Sequence, residues 1–278
     1  MILVVQLHIS RAKVLLDERF DAERRFGSVD RAYGARVVDL LAQAHVAVVG
    51  IGGVGSWAAE ALARSGVGRL TLIDMDHVAE SNVNRQVHAL DSTIGQAKVS
   101  AMAARIAQIN PACQVNQVDE FVDPLNVSCV VAPDANMVLD CTDQMSAKTA
   151  MVLCARDRGQ PLLVCGAAGG KTNGLALKKG DLRDTTHDSL LARLRSTLRK
   201  QHGFAPSLPK RSRPLGVQVL WFDQPSHRPA SLSDRGSMPL ACAGYGSLVT
   251  VTAAMGLAAA AHAIEDAIDR AARRDNAG

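Results

Sequence analysis

The sequence predicts an α/β fold, a mostly parallel sheet with helices on both faces. Three observations predict it. Short β-branched or aliphatic runs alternate with longer stretches of helical pattern along the chain. The run Val46–Val49 leads straight into Gly50-Ile51-Gly52-Gly53-Val54-Gly55. Aromatic residues make up only 3% of the 278 residues and alanine is abundant, which implies an aliphatic core large enough for one α/β domain.

The chain is organised around His45–Lys98. Val46–Val49 reads as a buried parallel strand. A helix follows from about Val54 to Arg64, then a strand Leu70–Ile73 that ends in Asp74. Strand, glycine turn, helix, strand and acid make a Rossmann-like nucleotide-binding unit. Gly50, Gly52, Gly53 and Gly55 let the backbone approach phosphate at a helix N-terminus. Asp74 lies where an acid can hold ribose hydroxyls. The glycines alone fit a nicotinamide dehydrogenase equally well. Asp76, Asn82, Asn84, Arg85, Gln86 and Lys98 shift the balance, because they cluster beyond the carboxyl end of the second strand. Hydride transfer needs no arginine and lysine there, whereas a triphosphate does.

The segments IGGVG, LIDMD, NVNRQ, GQAK and DCTD resemble the ubiquitin-activating-type adenylating family, which includes the bacterial activators of sulfur-carrier proteins. Within it, Arg25–Gly34, Val48–Gly68 and Leu72–Leu90 resemble most the tRNA threonylcarbamoyladenosine dehydratases. The likeness extends through Cys165–Gly170, Asp181–Leu198 and Cys242–Ala253, and so covers most of the chain from Arg25 on.

Residues 1–20 precede that likeness and read as a variable N-terminal arm. Residues 21–278 read as a single adenylating domain, with a nucleotide-binding half at 45–165 and a substrate and dimer half at 166–278. Asp21–Leu41 looks helical with a break at Gly27-Ser28, and Gly95–Asn110 looks helical up to Pro111. Val115–Val118 and Met137–Cys141 fit the third and fourth strands. The fourth runs into Asp140-Cys141-Thr142-Asp143, whose acids suit magnesium beside a triphosphate. Asp140 reads as a backbone brace, and Asp143 suits either magnesium or the N-cap of a helix from Ser146 to Arg158. Pro161–Cys165 is the fifth strand, followed by the small-residue turn Gly166–Gly170. Leu215–Phe222 is a later strand, and Gln224–Arg235 a polar loop.

A basic insertion spans 183–213. Its eight Lys or Arg residues (Arg183, Arg193, Arg195, Arg199, Lys200, Lys210, Arg211, Arg213) face two acids, Asp184 and Asp188. Ser189–Gln201 reads as a basic helix and Phe204–Pro214 as a proline-rich loop. Such a pair can track a phosphate backbone, or can be a solvated face. Met238–Ile264 lacks Lys, Arg, Asp and Glu. Its length permits a membrane span, but its alanines and glycines fit a helix packed closely on a sheet. The net charge of +4 decides little, and the six cysteines contain no C-x-x-C pair. A disulfide scaffold is therefore not expected, and the cytoplasm is the expected compartment, with membrane association through 238–264 as the alternative.

The resemblance implies the rest. By position in the motif, Arg31 matches an arginine that reaches the triphosphate of a neighbouring subunit, which implies a homodimer. Asp143 matches the magnesium-linked position, and Gly166–Gly170 lies toward the acyl acceptor. The implied cofactors are ATP and magnesium, and the implied substrate is threonylcarbamoyladenosine in tRNA. Its threonyl carboxylate is adenylated and then captured by its own carbamoyl group. Cys242 matches a cysteine that can take an acyl group, and a cysteine desulfurase is the implied sulfur-transfer partner. Two other functions compete: adenylation of a sulfur-carrier protein's C-terminal glycine, and a non-catalytic nucleotide-binding module. Zinc-binding cysteine pairs common among sulfur-carrier activators are missing here, which disfavours the first. Arg85, Lys98 and Asp143 together disfavour the second.

Overall fold

The computed structural model describes residues 20–204, 213–227 and 245–275. A seven-stranded sheet runs through it in the order β3-β2-β1-β4-β5-β7-β6. The strands are β1 (His45–Val49), β2 (Arg69–Ile73), β3 (Gln114–Val118), β4 (Met137–Asp140), β5 (Leu162–Cys165), β6 (Leu177–Asp181) and β7 (Gln218–Phe222). All neighbours are parallel except β6, which pairs antiparallel with β7 at the edge. The chain winds outward from β1 through β2 to β3, then returns to β4 on the other side of β1. The reversal opens a crevice between the carboxyl ends of β1 and β4, the place where such sheets bind ligands.

The helices are α1 (Ala22–Tyr33), α2 (Val37–Ala42), α3 (Gly55–Arg64), α4 (Lys98–Ile109), the short α5 (Val127–Val130), α6 (Met145–Arg158), α7 (Ser189–Gln201) and α8 (Val249–Asp275). Alternation along β1 sorts the two faces. Val46 and Val48 pack with Leu62, Met102, Met255 and Ala259 of α3, α4 and α8. Ala47 and Val49 pack on the other face with Val127, Val130, Ala150 and Met151 of α5 and α6. A third cluster joins Val164, Val219 and Trp221 to Leu191, Leu194 and Leu198 of α7.

Four details differ from the sequence expectation. The first helix passes through Gly27-Ser28 without a break, since Gly27 is one position on a regular helix. The interruption falls at Gly34–Arg36, where Gly34 and Arg36 have φ of 116° and 71°. Strand β7 begins at Gln218 rather than Leu215, because Leu215 and Gly216 donate their N–H groups to the Asp181 carboxylate instead of a ladder. Strand β6 was not foreseen, as Lys178, Lys179 and Gly180 give an edge strand no apolar alternation.

From Val249 on, the alanine-rich stretch lies on helix α8. It is long and apolar enough to cross a membrane by length and composition. Yet Val251, Met255, Ala259, Ala260 and Ala263 are buried in the main core. Gly256 lies so close to α3 that a Cβ there would sit 2.4 Å from the Val54 carbonyl oxygen. The small residues serve close packing on α3, a helix rather than the sheet the sequence suggested.

Candidate active site

The glycine loop leaves β1 and meets the end of β4. A side chain on Gly50 would lie 3.0 Å from the Cys141 carbonyl carbon, and one on Gly55 would overlap the Gly50 carbonyl oxygen at 1.9 Å. These close approaches are what the glycines permit. Gly52 and Gly53 form the rest of the loop. A Cβ on Gly53 would press on Thr252 Cγ2 at 2.9 Å, so the first turn of α8 closes this loop from the C-terminal half. The Thr252 hydroxyl also donates to the Arg85 carbonyl at 3.3 Å, as does Trp57 Nε1 at 3.0 Å. Thr252 and Trp57 were missed by motif reading, since neither belongs to a charge or glycine pattern.

Asp74 ends up 8% exposed beneath that loop. Its Oδ2 accepts the Ile51 N–H at 2.6 Å, and its Oδ1 accepts the Asp76 N–H at 2.8 Å. Lys98 Nζ stands 3.8 Å from Asp74 and 2.6 Å from Asp76 Oδ2. Burial pushes the Asp74 carboxyl up, while the Lys98 charge and the two N–H donors pull it back. Asp74 thus braces the glycine loop through Oδ2 and its own turn through Oδ1, and the exposed Asp76 presents its carboxylate beside it. Lys98 is the first residue of α4, where a helix N-terminus adds to its positive field.

Arg85 lies across the loop from these acids. Its Nη1 donates to the Ser81 carbonyl at 2.6 Å and to Asn84 Oδ1 at 3.0 Å. A Cβ on Gly53 would be 3.5 Å from Arg85 Cγ, and one on Gly52 would be 3.9 Å from Gln86 Nε2. Gln86 is buried, with its Oε1 unpartnered among the described residues. Asn82 is also buried and accepts the Ala79 N–H at 3.1 Å, so it shapes the turn that carries Arg85. The structure therefore gathers Gly50, Gly52, Gly53, Gly55, Asp74, Asp76, Asn82, Arg85, Gln86 and Lys98 around one crevice.

Asp143 is exposed on the loop after β4, whose Cys141-Thr142 backbone abuts Gly50. Helix α6 starts at Met145 with Gln144 as N-cap, so Asp143 does not take the capping position. No three His, Cys, Asp or Glu side chains gather as a metal cluster among the described residues. One exposed carboxylate beside a phosphate cradle still suits magnesium, which takes phosphate oxygens and waters for its other ligands. Asp140 acts as a brace. Its Oδ1 accepts from Thr142 N–H at 3.1 Å and from Lys148 Nζ at 3.1 Å. Lys148 is fully buried and also donates to the Cys165 carbonyl at 2.8 Å, tying the ends of β4 and β5. That lysine gave no sequence signal, because on α6 it resembles any solvated helix residue.

Arg31 is not brought to its own glycine loop by any described contact. Helix α1 is held at the far ends of α3 and α4, where Phe26 packs on Gly66 and Arg25 Nη1 donates to the Ile109 carbonyl at 2.8 Å. Arg31 itself is exposed.

The basic stretch divides. Arg193 and Lys200 are exposed on α7, Arg199 is half-buried, and Arg213 is exposed. Arg195 is held differently from its neighbours on the helix. Its Nη1 donates to the carbonyls of Leu182 at 3.0 Å and Thr185 at 3.1 Å, so it braces the segment before α7. Its place on the helix, half-buried above Leu191 and Leu198, points it inward. Arg183 pairs with Asp184 at 2.9 Å. Lys210, Arg211 and Cys242 lie outside the described residues. Asp188 caps α7 through Leu191 N–H and accepts the Ala167 N–H at 2.8 Å. The buried Lys171 donates to the carbonyls of His187, at 2.7 Å, and Gln224. Asp188 and Lys171 together fasten the small-residue turn after β5 to the start of the basic helix.

Comparison with known proteins agrees with this geometry. The model of the ThiF family matches residues 28–274. The tRNA threonylcarbamoyladenosine dehydratase of Escherichia coli K12 is 40% identical over 260 residues, covering 90% of this chain and 96% of that protein. A crystal structure of the E. coli enzyme in complex with ATP superimposes with a TM-score of 0.81 at 40% identity, covering 90% of this chain and 96% of that one. The molybdopterin-synthase adenylyltransferase of E. coli is 37% identical over 110 residues, covering 40% of this chain and 44% of that protein.

Proposed function

The chain belongs to the ThiF family, and on that premise we propose that it is an ATP-dependent dehydratase of threonylcarbamoyladenosine in tRNA. The observation that carries this is the single crevice joining the glycine loop, Asp76, Arg85 and Lys98, in a chain that spans nearly the whole length of the E. coli dehydratase. A threonyl carboxylate oxygen attacks the α-phosphorus of ATP and pyrophosphate leaves. Arg85 and Lys98 offset charge as it builds on the phosphates. The substrate's carbamoyl nitrogen or oxygen then attacks the acyl carbon, and AMP departs with one carboxylate oxygen. The carbamoyl proton goes to solvent, so the nucleoside has lost one water. Both nucleophile and acyl group belong to one molecule, so this step needs orientation rather than an enzyme thiol.

Four finer parts of the reading are also proposals. Asp143 would hold magnesium, which would add positive charge at the phosphates. Arg31 would act in a partner subunit's site, supported by its exposed position on a helix anchored away from its own crevice. Mixing Arg31→Ala with Lys98→Ala subunits should then restore part of the activity, and no restoration after confirmed subunit exchange would place Arg31 outside any site. A cytoplasmic location rests on the sequence alone, whose six cysteines are scattered and form no C-x-x-C pair. A cysteine desulfurase partner rests on the resemblance alone.

The second reading, adenylation of a sulfur-carrier protein, is supported by the 110-residue likeness to the molybdopterin-synthase adenylyltransferase. Radiolabelled pyrophosphate–ATP exchange separates the two. Exchange should depend on tRNA carrying threonylcarbamoyladenosine, with that nucleoside losing the mass of one water. Exchange driven by a sulfur-carrier protein and not by tRNA would transfer the conclusion to the second reading.

A further inference from the structure

We propose that the groove bounded by α1, α3, α4 and the loop at 88–96 is a phosphate-binding site distinct from the nucleotide crevice. The groove has a volume of about 800 Å³ and is lined by Arg25, Arg64, His88, Gln96, Arg105 and Gln108 among others. That volume is within the range of small-ligand sites.

His88 is the first observation. It is 1% exposed, lines this groove, and has both ring nitrogens buried without a partner. Burial, with Lys98 and Arg105 nearby, pushes its pKa down to about 4. The ring is therefore neutral near pH 7 and carries one N–H donor and one acceptor. Leaving such groups unmet costs stability that an apolar side chain would not cost. The ring lines the groove, so a turn of the side chain would bring its donor to a ligand oxygen there.

The arginines are the second observation, and they come from three different elements. Arg64 Nε donates to Glu60 Oε1 at 2.7 Å. Arg105 Nε and Nη2 donate to the two Glu60 oxygens at 2.6 and 3.1 Å. The buried Glu60 thus holds two guanidinium groups side by side at the groove wall. Arg25 adds a third from α1, with one bond to the Ile109 carbonyl. A guanidinium has five N–H donors, so these bonds leave others for the groove. Planar forks on a fixed base suit phosphate oxygens better than a mobile ammonium does. The phosphate could come from a free anion such as pyrophosphate or from a polynucleotide backbone. Only the polynucleotide source rests on the function proposed above.

The test uses the full chain with the nucleotide crevice, including its triphosphate part, saturated by a non-hydrolysable ATP analogue. Binding of inorganic pyrophosphate and of an anticodon stem–loop RNA is measured for wild type, His88→Leu and Arg64→Gln. Each substitution should weaken binding of the probe roughly tenfold, the scale for losing a hydrogen bond to a charged group. His88→Leu should melt no lower than wild type, because it removes unmet polar atoms. Loss of stem–loop binding assigns the groove to backbone phosphates, and loss confined to pyrophosphate assigns it to a free anion. Unchanged affinity for both probes in both variants overturns the proposal, as does a wild type that binds neither. Should His88→Leu fail to fold, Arg64→Gln decides alone, since that side chain is 60% exposed. Failure of the dehydratase reading would show separately, in the tRNA dependence of pyrophosphate exchange.

Discussion

The nucleotide crevice and the basic helix α7 hold charge in opposite ways. In the crevice the side chains of Asp74 and Lys98 are each only 8% exposed and are tied to one another and to backbone N–H groups. On α7, Arg193 and Lys200 stand in solvent, while Arg195 Nη1 is held by the Leu182 and Thr185 carbonyls. Charges fixed in a partly dry site act through geometry, because nothing has to reorganise when a phosphate arrives. Charges on a solvated helix act through number, and salt screens them. Within the basic stretch the sequence shows Arg193, Arg195 and Lys200 alike, and only burial tells the held arginine from the solvated pair.

The largest effect tests the frame behind the crevice. Lys148 and Asp140 form a fully buried ion pair between α6 and β4. Lys148→Met leaves the Asp140 carboxylate buried without its cation and should cost roughly 3–5 kcal/mol. Adding Asp140→Leu to that variant should recover part of the loss. A denaturant titration measures both, and a Lys148→Met protein as stable as wild type would show the pair to be dispensable.

Next come the charges inside the crevice. Arg85→Ala and Lys98→Ala should each slow adenylation by about 10²–10³, the scale for removing one preorganised donor. Arg85→Ala is the cleaner variant, because removing Lys98 also leaves the buried Asp74 without its counter-charge. Turnover in either variant near that of wild type would take that residue out of the site.

A third effect is acid sensitivity. The folded pKa of His88 lies at about 4, below the ordinary 6.5. Between those values the unfolded chain binds the proton and the folded chain does not. Stability from this residue is therefore complete above pH 6.5 and is lost as pH falls toward 4. The shift is equivalent to about 3 kcal/mol at most. Melting temperatures of wild type and His88→Leu, taken from pH 7 to pH 4, should diverge in favour of the variant as pH falls. Parallel curves would mean that His88 already has a partner.

The nucleotide half was the legible part of the sequence. Glycine spacing, β-branched runs and an acid at a strand end are local signals, and β1, β2, α3 and the crevice followed from them. The illegible residues work through contacts distant along the chain. Thr252 reaches Gly53 from the far end of the sequence, and Lys148 ties the ends of two neighbouring strands, at Asp140 and Cys165. Lys171 is buried against the His187 and Gln224 carbonyls, although nothing near it in sequence marks it as interior. Edge strand β6 escaped notice for a related reason. It has a half-exposed, lysine-bearing pattern that a loop would share.

The smallest effect bears most directly on the contrast. If α7 tracks RNA phosphates, tRNA affinity should fall with salt, with a log–log slope of about −0.7 to −0.9 per contact. Arg193→Ser with Lys200→Ser removes two exposed cations from the helix. The slope should flatten by about one to two units, with ATP binding unchanged. Arg195→Ser removes an equal charge from the same helix, but from a side chain held by the Leu182 and Thr185 carbonyls. Its slope should stay close to that of wild type while its melting temperature drops, because those carbonyls lose their donor. A titration at several salt concentrations, run beside a thermal melt, reads both quantities on each protein. Equal slopes for all three proteins would reduce α7 to a solvated face. A flattened slope for Arg195→Ser alone would reverse the assignment, making the braced arginine the RNA contact and the exposed pair bystanders.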